Sequence, residues 1–366
     1  MRVLLTIASM QSGGAERVVT TLAAGMAERG VDVALAAPLG PGDQELRGVR
    51  HERFALEFHE RALVGAARVT LTLAGAVARF RPDVVHAHNV RYAALARAGA
   101  SLAAPRGRPR VLATFHGVLP AEYRRAARIL RTCDHVTCVS EELRARILAA
   151  GLPAARASVI RNAVALAAPL DPQRRDQLDR EFASAGAPVI AIVGRLVAQE
   201  AHERFLVAAR RVAGELPAAK FLIVGEGPRM GEIEALVAAA GLSGRARLTG
   251  QRADAREIIA RADVLVFSSE WEGLSVAALE ALAAGTPVLS TDVQGMRELL
   301  AGGAGAVVPL DDGHALGERL LTMLLDEDER AAMGRRGREL IAREYSLERM
   351  LDAYAQRYEQ LAGAGS

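Results

Sequence analysis

Lysine is nearly missing from this 366-residue chain: Lys220 is the single example among 46 basic residues, and every other cation is an arginine. Coding bias accounts for that without a mechanism. Cysteine is scarce as well. Cys133 and Cys138, in TCDHVTCVS, are the only two; they are too few for a disulfide framework or a four-cysteine metal site, and both read as small core residues. Aromatic residues make up 4% of the chain, with one tryptophan. No long uninterrupted apolar run occurs. Residues 62–80 come nearest, but Arg68 and two threonines break them, which favours a buried helix over a membrane span. The opening MRVLLTIASM carries an arginine and a short apolar run, yet it is strand length and leads into a glycine pair, Glu16 and Arg17. It reads as a first core strand and not as a secretory signal. The chain is therefore expected in the cytoplasm, with the inner membrane face as its candidate surface.

What is present points to two domains. The length exceeds one ordinary core and fits two of about 150 to 200 residues, and 51% hydrophobic residues rich in Ala and Gly describe a helix-rich globular protein. Charge is divided unevenly. Residues 1–170 hold 23 arginines against 13 acids, and residues 171–366 hold 23 basic against 30 acidic residues. A basic first half suits an anionic surface, such as a membrane or an acidic acceptor, although an ordinary solvated surface is the plainer reading.

Strands alternate with helices along the whole chain, which predicts parallel sheets flanked by helices. The first series runs from strand Val3–Ala8 through strands Val31–Ala36, Asp83–Ala87 and Val111–Thr114, with two further strand-helix pairs. The stretch LAAPLDPQRRDQ, near residues 166–177, is proline-rich and polar and reads as a linker. A second series follows, with strands at 188–193, 221–224, 247–248, 264–267 and 288–290. The expected division is residues 1–168, residues 169–345, and a closing amphipathic helix at 346–366 that is a candidate to return to the first domain. Two such domains imply a cleft between them.

The motifs sit where strands give way to helices, the place where ligands of such sheets bind. Gly13-Gly14 opens the first helix, where backbone N–H groups and missing Cβ atoms let an anion or sugar approach, though a tight turn uses the same pair. His86 and His88 end one strand and His116 another. Further ligands at sensible spacing are not evident, so zinc is not expected, and His116 beside Gly117 is better placed for binding or acid-base work than for packing, with a satisfied core histidine as the alternative. Arg195 follows a strand in IVGRL, where a guanidinium can take a diphosphate bidentately or equally form a surface ion pair. VGEGPRMG supplies Gly225, Gly227 and Gly231, but the spacing departs from the dinucleotide fingerprint. In the 264–290 unit, Glu272 lies in a turn and Glu280 on the following helix with seven residues between them, both candidates to face one crevice and accept hydrogen bonds from sugar hydroxyls. Asp326 and Asp328 form a D-x-D pair inside the acidic run DEDER, which reads as solvated charge. Arg124, Arg128 and Arg131 share one face of a helix, either solvated or turned to anionic lipid.

In order along the chain, Gly-Gly-Ala-Glu, His-Ala-His, Phe-His-Gly, Val-Gly-Arg-Leu, Val-Gly-Glu-Gly-Pro, Glu-Gly-Leu with Glu280, and Gly-Thr-Pro-Val resemble the retaining glycosyltransferases of family four. The resemblance implies the α/β GT-B fold, with two Rossmann-like parallel-sheet domains facing each other across a cleft. It implies a nucleotide sugar, UDP- or GDP-linked, held by the second domain, a glycan or lipid-linked acceptor held by the first, and transfer with retention and no required metal or cofactor. The commonest setting of the family is bacterial surface polysaccharide or glycolipid assembly. No nucleic-acid partner is expected. Carried over residue by residue, Glu280 would bind the ribose and Glu272 the donor sugar, with Gly273 and Leu274 beside it. Arg195 would stabilise the departing diphosphate, Gly13 and Gly14 would approach it from the first domain, and Gly225 would line the donor pocket. His116 would contact the donor sugar, and Gln251 and Arg252 would lie near the base.

Several positions depart from that pattern. The family usually follows Gly-Arg-Leu with Lys-Gly, giving the diphosphate a second cation; here Glu200 and Ala201 stand there. A charge reversal about 4 Å from a phosphate changes the interaction by several kcal/mol even at an effective dielectric of about 20. Two rescues are expected candidates: Glu200 turned away to pair with Arg204 one helical turn on, or another arginine replacing the missing charge. The Asn-Gly-Val-Asp turn before the linker is also altered, to Asn162-Ala163-Val164-Ala165. Besides an active transferase, the sequence is compatible with a catalytically silent GT-B binding protein and with a nucleotide-sugar epimerase.

Overall fold

The computed structural model describes residues 1–363 apart from 12, 47, 50, 57–61, 105–106 and 311. The chain forms two units, one of Met1–Asn162 with Leu347–Ser366 and the other of Ala163–Ser346. Each is built on one wholly parallel sheet.

The first unit has seven strands: β1 (Arg2–Thr6), β2 (Asp32–Ala37), β3 (His51–Ala55), β4 (Val84–Ala87), β5 (Arg110–Phe115), β6 (His135–Cys138) and β7 (Ala157–Val159), in spatial order β3-β2-β1-β4-β5-β6-β7. Its helices are α1 (Gly14–Glu28), α2 (Ala62–Phe80), α3 (Val90–Ala103), α4 (Tyr123–Leu130) and α5 (Glu141–Ala149). Val3, Leu4, Leu5, Val84, Val85, Val111 and Leu112 are buried on both faces of the sheet, which is why these strands read as unbroken apolar runs. The sequence reading missed β3. Its HERFA lacks an apolar pattern because it is an edge strand, held by Arg53, which donates to the backbone oxygens of Ala37 and Pro38 at 2.6 Å.

The second unit has helix α6 (Pro172–Phe182), then β8 (Val189–Val193), α7 (His202–Glu215), β9 (Lys220–Val224), α8 (Met230–Ala239), β10 (Ala246–Gly250), α9 (Ala255–Arg261), β11 (Val264–Phe267), α10 (Val276–Ala284), β12 (Val288–Thr291), α11 (Met296–Leu300), β13 (Gly305–Val308), α12 (Gly313–Leu325) and α13 (Glu327–Glu344). Spatial order is β10-β9-β8-β11-β12-β13. Ile190, Ile192, Phe205, Phe221, Ile223, Val264 and Val266 fill its core, with Phe205 and Phe221 edge to face at 6.3 Å.

The linker reading is corrected in its second half. Asp171 accepts the backbone N–H of Arg174 and Pro172 occupies the first helical position of α6, so this proline-rich, polar stretch is a helix start. Helix α14 (Leu347–Gly363) belongs with the first unit. Gly25 of α1 makes room for it, since a Cβ there would lie 2.4 Å from Leu351 Cδ1, and Arg29 pairs with Asp352 at 2.8 Å. Its Tyr354 and Tyr358 are fully buried. Cys133 and Cys138 are buried free thiols, each pushed by burial up to about 12. Helix α4 buries Tyr123, Ala126, Ala127 and Leu130 and leaves Arg124, Arg125 and Arg128 exposed. Among the described residues no helix is long and apolar enough to cross a membrane.

Candidate active site

In each sheet the strand order reverses once, between β1 and β4 in the first unit and between β8 and β11 in the second. Strand connections leave in opposite directions at such a point and open a crevice at the carboxyl ends of the two strands.

In the second unit, β8 ends at Val193 and turns through Gly194 and Arg195. The turn is fastened to its neighbour: Gly194 N–H donates to Val224 O at 3.0 Å, and Leu196 N–H to Glu226 O at 2.9 Å. Gly225 adopts φ +144°, and a Cβ on it would sit 1.8 Å from Gly194 O. Only glycine permits that approach. Arg195 is exposed, with its guanidinium 3.4 Å from Gln199 Oε1. Gln199 clamps the turns after β8 and β11 together, because its Nε2 donates to Trp271 O at 3.0 Å and its own carbonyl accepts Glu270 N–H at 2.8 Å.

Glu200 and Glu272 meet at one serine. Ser269 Oγ lies 2.9 Å from Glu200 Oε2 and 3.2 Å from Glu272 Oε1, while Ser268 Oγ donates to the Glu200 backbone oxygen at 2.7 Å. The pairing of Glu200 with Arg204 does not occur. Glu200 is buried, and Arg204 instead donates to Ser268 O and Glu270, each at 3.3 Å. The reason is local: Ala201 takes a left-handed conformation, φ +45°, just before α7. Residue 200 therefore belongs to the preceding tight turn and faces back toward the crevice, off the helical ridge that Arg204 occupies. Burial raises the Glu200 carboxyl above its ordinary range. Glu272 is pushed up to about 8 by burial first and by the adjacent Glu200 charge second, against the opposing pull of Ser269, Arg195 and the Gly273 N–H.

The other expected residues of this unit are distributed around that turn. Gly273 is backed by Gly295, whose Cβ would fall 1.8 Å from Gly273 O, and Leu274 is buried. Glu280 is buried on α10, where Arg256 Nε donates to it at 2.7 Å. Gln251 is exposed after β10. The Arg252 guanidinium is engaged by Glu181 at 2.7 Å and by Asp254 at 2.8 Å. Ser269, Gln199 and His202 were not picked out from the sequence. A serine three residues before Glu272 is the only signal Ser269 offers, and serines at such turns are common. His202, the first residue of α7, is buried with no hydrogen-bond partner for either ring nitrogen among the described residues, and burial lowers it to about 4.

In the first unit, Gly13 is the extended cap of α1 and Gly14 its first residue. His88 N–H donates to Thr6 O at 2.9 Å and Ala8 N–H to Asn89 Oδ1 at 2.8 Å, tying the ends of β1 and β4. Three histidines form a row at the ends of β4 and β5. His86 lies 2.7 Å from both Tyr358 OH and Thr114 Oγ1, its ring is 4.1 Å from that of His88, and His88 Nδ1 is 3.4 Å from His116 Nε2. Burial keeps them neutral, lowering His86 to about 3 and His116 to about 4. His116 is the partly exposed end of the row. Among the described residues no group of three or more His, Cys, Asp or Glu is placed to hold a metal ion. Asp326 caps α13 by accepting Glu329 N–H at 2.9 Å, and Asp328 is exposed in its first turn. Both line a surface depression of about 580 Å³ with Thr322, Leu325 and Glu327, none of which follows a strand.

Two family profiles match, in series. "Glycosyltransferase Family 4" matches residues 12–168 and "Glycosyl transferases group 1" residues 173–340. The chain is 28% identical over 348 residues to the lipopolysaccharide core biosynthesis glycosyltransferase LpsE of Rhizobium meliloti, covering 94% of this chain and 96% of that protein. It is 29% identical over 271 residues to a GDP-mannose-dependent α-(1-6)-phosphatidylinositol monomannoside mannosyltransferase of Mycobacterium tuberculosis, covering 68% and 70%. Among solved structures, Anabaena HepE in complex with UDP-glucose superposes with a TM-score of 0.86 at 18% identity, covering 98% of this chain and 100% of that one.

Proposed function

Because this chain belongs to family four of the glycosyltransferases and has the GT-B fold, we propose that it transfers a sugar with retention from a UDP- or GDP-linked donor to a glycan or lipid-linked acceptor. The second unit holds the donor, the first holds the acceptor, and the setting is bacterial surface polysaccharide or glycolipid synthesis. The relatives support this setting: one acts in lipopolysaccharide core biosynthesis, and another is GDP-mannose-dependent and named for a phosphatidylinositol mannoside.

One observation carries the reading at the level of the site: an exposed guanidinium, Arg195, and a carboxyl group, Glu272, occupy the two turns at the strand-order reversal of the second unit. Departure of a nucleoside diphosphate builds negative charge, and a fixed cation placed there lowers the barrier. Glu272 is a hydrogen-bonding partner for the hydroxyls of the sugar. Arg195 supplies the positive charge in this scheme, so transfer needs no metal. The test is release of nucleoside diphosphate from UDP-glucose and GDP-mannose, with and without lipopolysaccharide-core and lipid-linked acceptors. Acceptor-dependent release, product with the donor's anomeric configuration by NMR, and no loss on chelation are expected. Donor binding with no release for any acceptor refutes transfer; an isomerised nucleotide sugar formed without any acceptor assigns an epimerase.

The exposed arginines of α4 give the basic first half a surface for anionic lipid, each cation near such a surface contributing about 1 kcal/mol. Co-sedimentation with vesicles containing anionic lipid is expected, and it should weaken when Arg124, Arg125 and Arg128 are changed to glutamate. Sedimentation indifferent to those changes refutes the contact.

A further inference from the structure

Two acids and one hydroxyl make an uneven set at the crevice of the second unit. Ser269 has a single hydrogen, yet its Oγ is within hydrogen-bond distance of Glu200 Oε2, at 2.9 Å, and Glu272 Oε1, at 3.2 Å. If both carboxyls are ionised, the hydroxyl donates to one and the second contact sets two oxygens together without a hydrogen. If one carboxyl holds a proton, it donates to Ser269 Oγ while Ser269 donates to the other, and both contacts are hydrogen bonds. The geometry matches the singly protonated pair.

The surroundings act the same way. Glu200 is buried, and the Glu200 charge is a cause of the rise of Glu272 to about 8. Arg195, from the turn after β8, is the cation that favours the ionised forms of both acids. The charged groups next along the elements packed here have other partners: Glu270 pairs with Arg204, and Glu203 with Arg229. His202, at the start of α7, is neutral, lowered by burial to about 4.

We propose that Glu200, Ser269 and Glu272 act as one proton-sharing unit, and that proton uptake by this unit admits the diphosphate of a nucleotide sugar to the crevice between β8 and β11. The proton comes from solvent and lands on a carboxylate oxygen; no other bond changes. An arriving diphosphate raises the proton affinity of nearby carboxylates, because a like charge disfavours the ionised form. Glu200 is thus a positioning residue that acts through Glu272 and Ser269. This inference rests on the donor reading above.

The test has two arms. In the free protein, carboxyl titrations are followed by carbon-13 NMR of glutamate-labelled protein. Glu272 should titrate near 8, move down in E200Q, where the neighbouring charge is gone, and move up in S269A, where a stabilising donor is gone. Identical titration in wild type and E200Q overturns the shared unit without any ligand. In the second arm, UDP-glucose and GDP-mannose are titrated calorimetrically from pH 6 to 9 in buffers of different ionisation enthalpy. Neither diphosphate diester titrates in that range. Proton uptake is expected, with affinity falling by up to about tenfold per pH unit above the Glu272 titration, and E200Q should flatten that slope. Binding that ignores pH and buffer overturns the inference while leaving the donor reading intact. Failure of both sugars to bind at every pH overturns the two together.

Discussion

Replacing Arg195 with glutamine tests the charge on which transfer depends. A unit charge about 4 Å from a diphosphate oxygen is worth about 4 kcal/mol at an effective dielectric of about 20. Removing one preorganised donor from a developing anion costs about 2.7–4 kcal/mol, or roughly 100- to 1,000-fold in turnover. Stability should barely move, by less than about 0.5 kcal/mol, because Arg195 is exposed and its hydrogen bond to Gln199 is a long one, 3.4 Å. The assay is release of nucleoside diphosphate at saturating donor, with donor affinity measured separately. The expected result is a loss concentrated in kcat, partly recovered by R195K, which keeps the charge but not the bidentate fork. Arg195 also favours the ionised forms of Glu200 and Glu272, so kcat is compared at pH 7 and pH 9. If raising the pH restored the mutant, the loss would come from protonation of those acids. R195Q with more than about a tenth of wild-type kcat would refute direct stabilisation of the leaving group.

Three further outcomes are expected. Gly225→Ala places a Cβ 1.8 Å from Gly194 O at φ +144°, so it should destabilise the protein by more than about 2 kcal/mol and weaken donor binding by shifting the Arg195 turn; unchanged urea midpoints would contradict it. Ala201→Gly relieves the left-handed alanine at φ +45° and should stabilise by about 1 kcal/mol, visible as a rise of about 2–4 °C in Tm; a lower Tm would mean that residue 201 is not strained. Stability should also fall on mild acidification. Burial lowers His86 to about 3 and His116 and His202 to about 4, from 6.5, so the unfolded chain takes up protons first. Their contribution is complete above pH 6.5 and is lost as the pH drops toward 4. Glu200 and Glu272, whose carboxyls are raised in the folded protein, take up protons in the folded state over the same range and oppose this loss, so the comparison is made in the E200Q/E272Q double variant. Equal urea midpoints there at pH 7.5 and pH 5 would refute neutral burial.

Elements buried on both faces were legible along the chain. β1, β4, β8 and β11 are apolar runs ended by glycine or polar turns, and the helix read after the Glu272 turn is α10, which carries Glu280. β3 was missed because an edge strand needs no apolar pattern, and the start of α6 passed for a linker because its cap, Asp171-Pro172, uses the same residues as a loop. Within the candidate site, Arg195, Glu200 and Glu272 were all singled out from the sequence, and the structure gathers them at one strand-order reversal. How Glu200 faces was not legible. Helical spacing offered Arg204, whereas a single left-handed residue, Ala201, turned it the other way.

The sequence by itself determined the parallel α/β units, the strand ends that carry glycine, arginine and carboxylate, and the glycosyltransferase family, because these depend on local periodicity and on motif order. Only the tertiary structure decided that residues 200 and 272 share the hydroxyl of Ser269, that the rings of His86, His88 and His116 form a row at the ends of β4 and β5, and that α14 lays Tyr358 against His86. Those contacts join residues distant in the chain, and their protonation is set by burial, a property that no stretch of sequence carries alone.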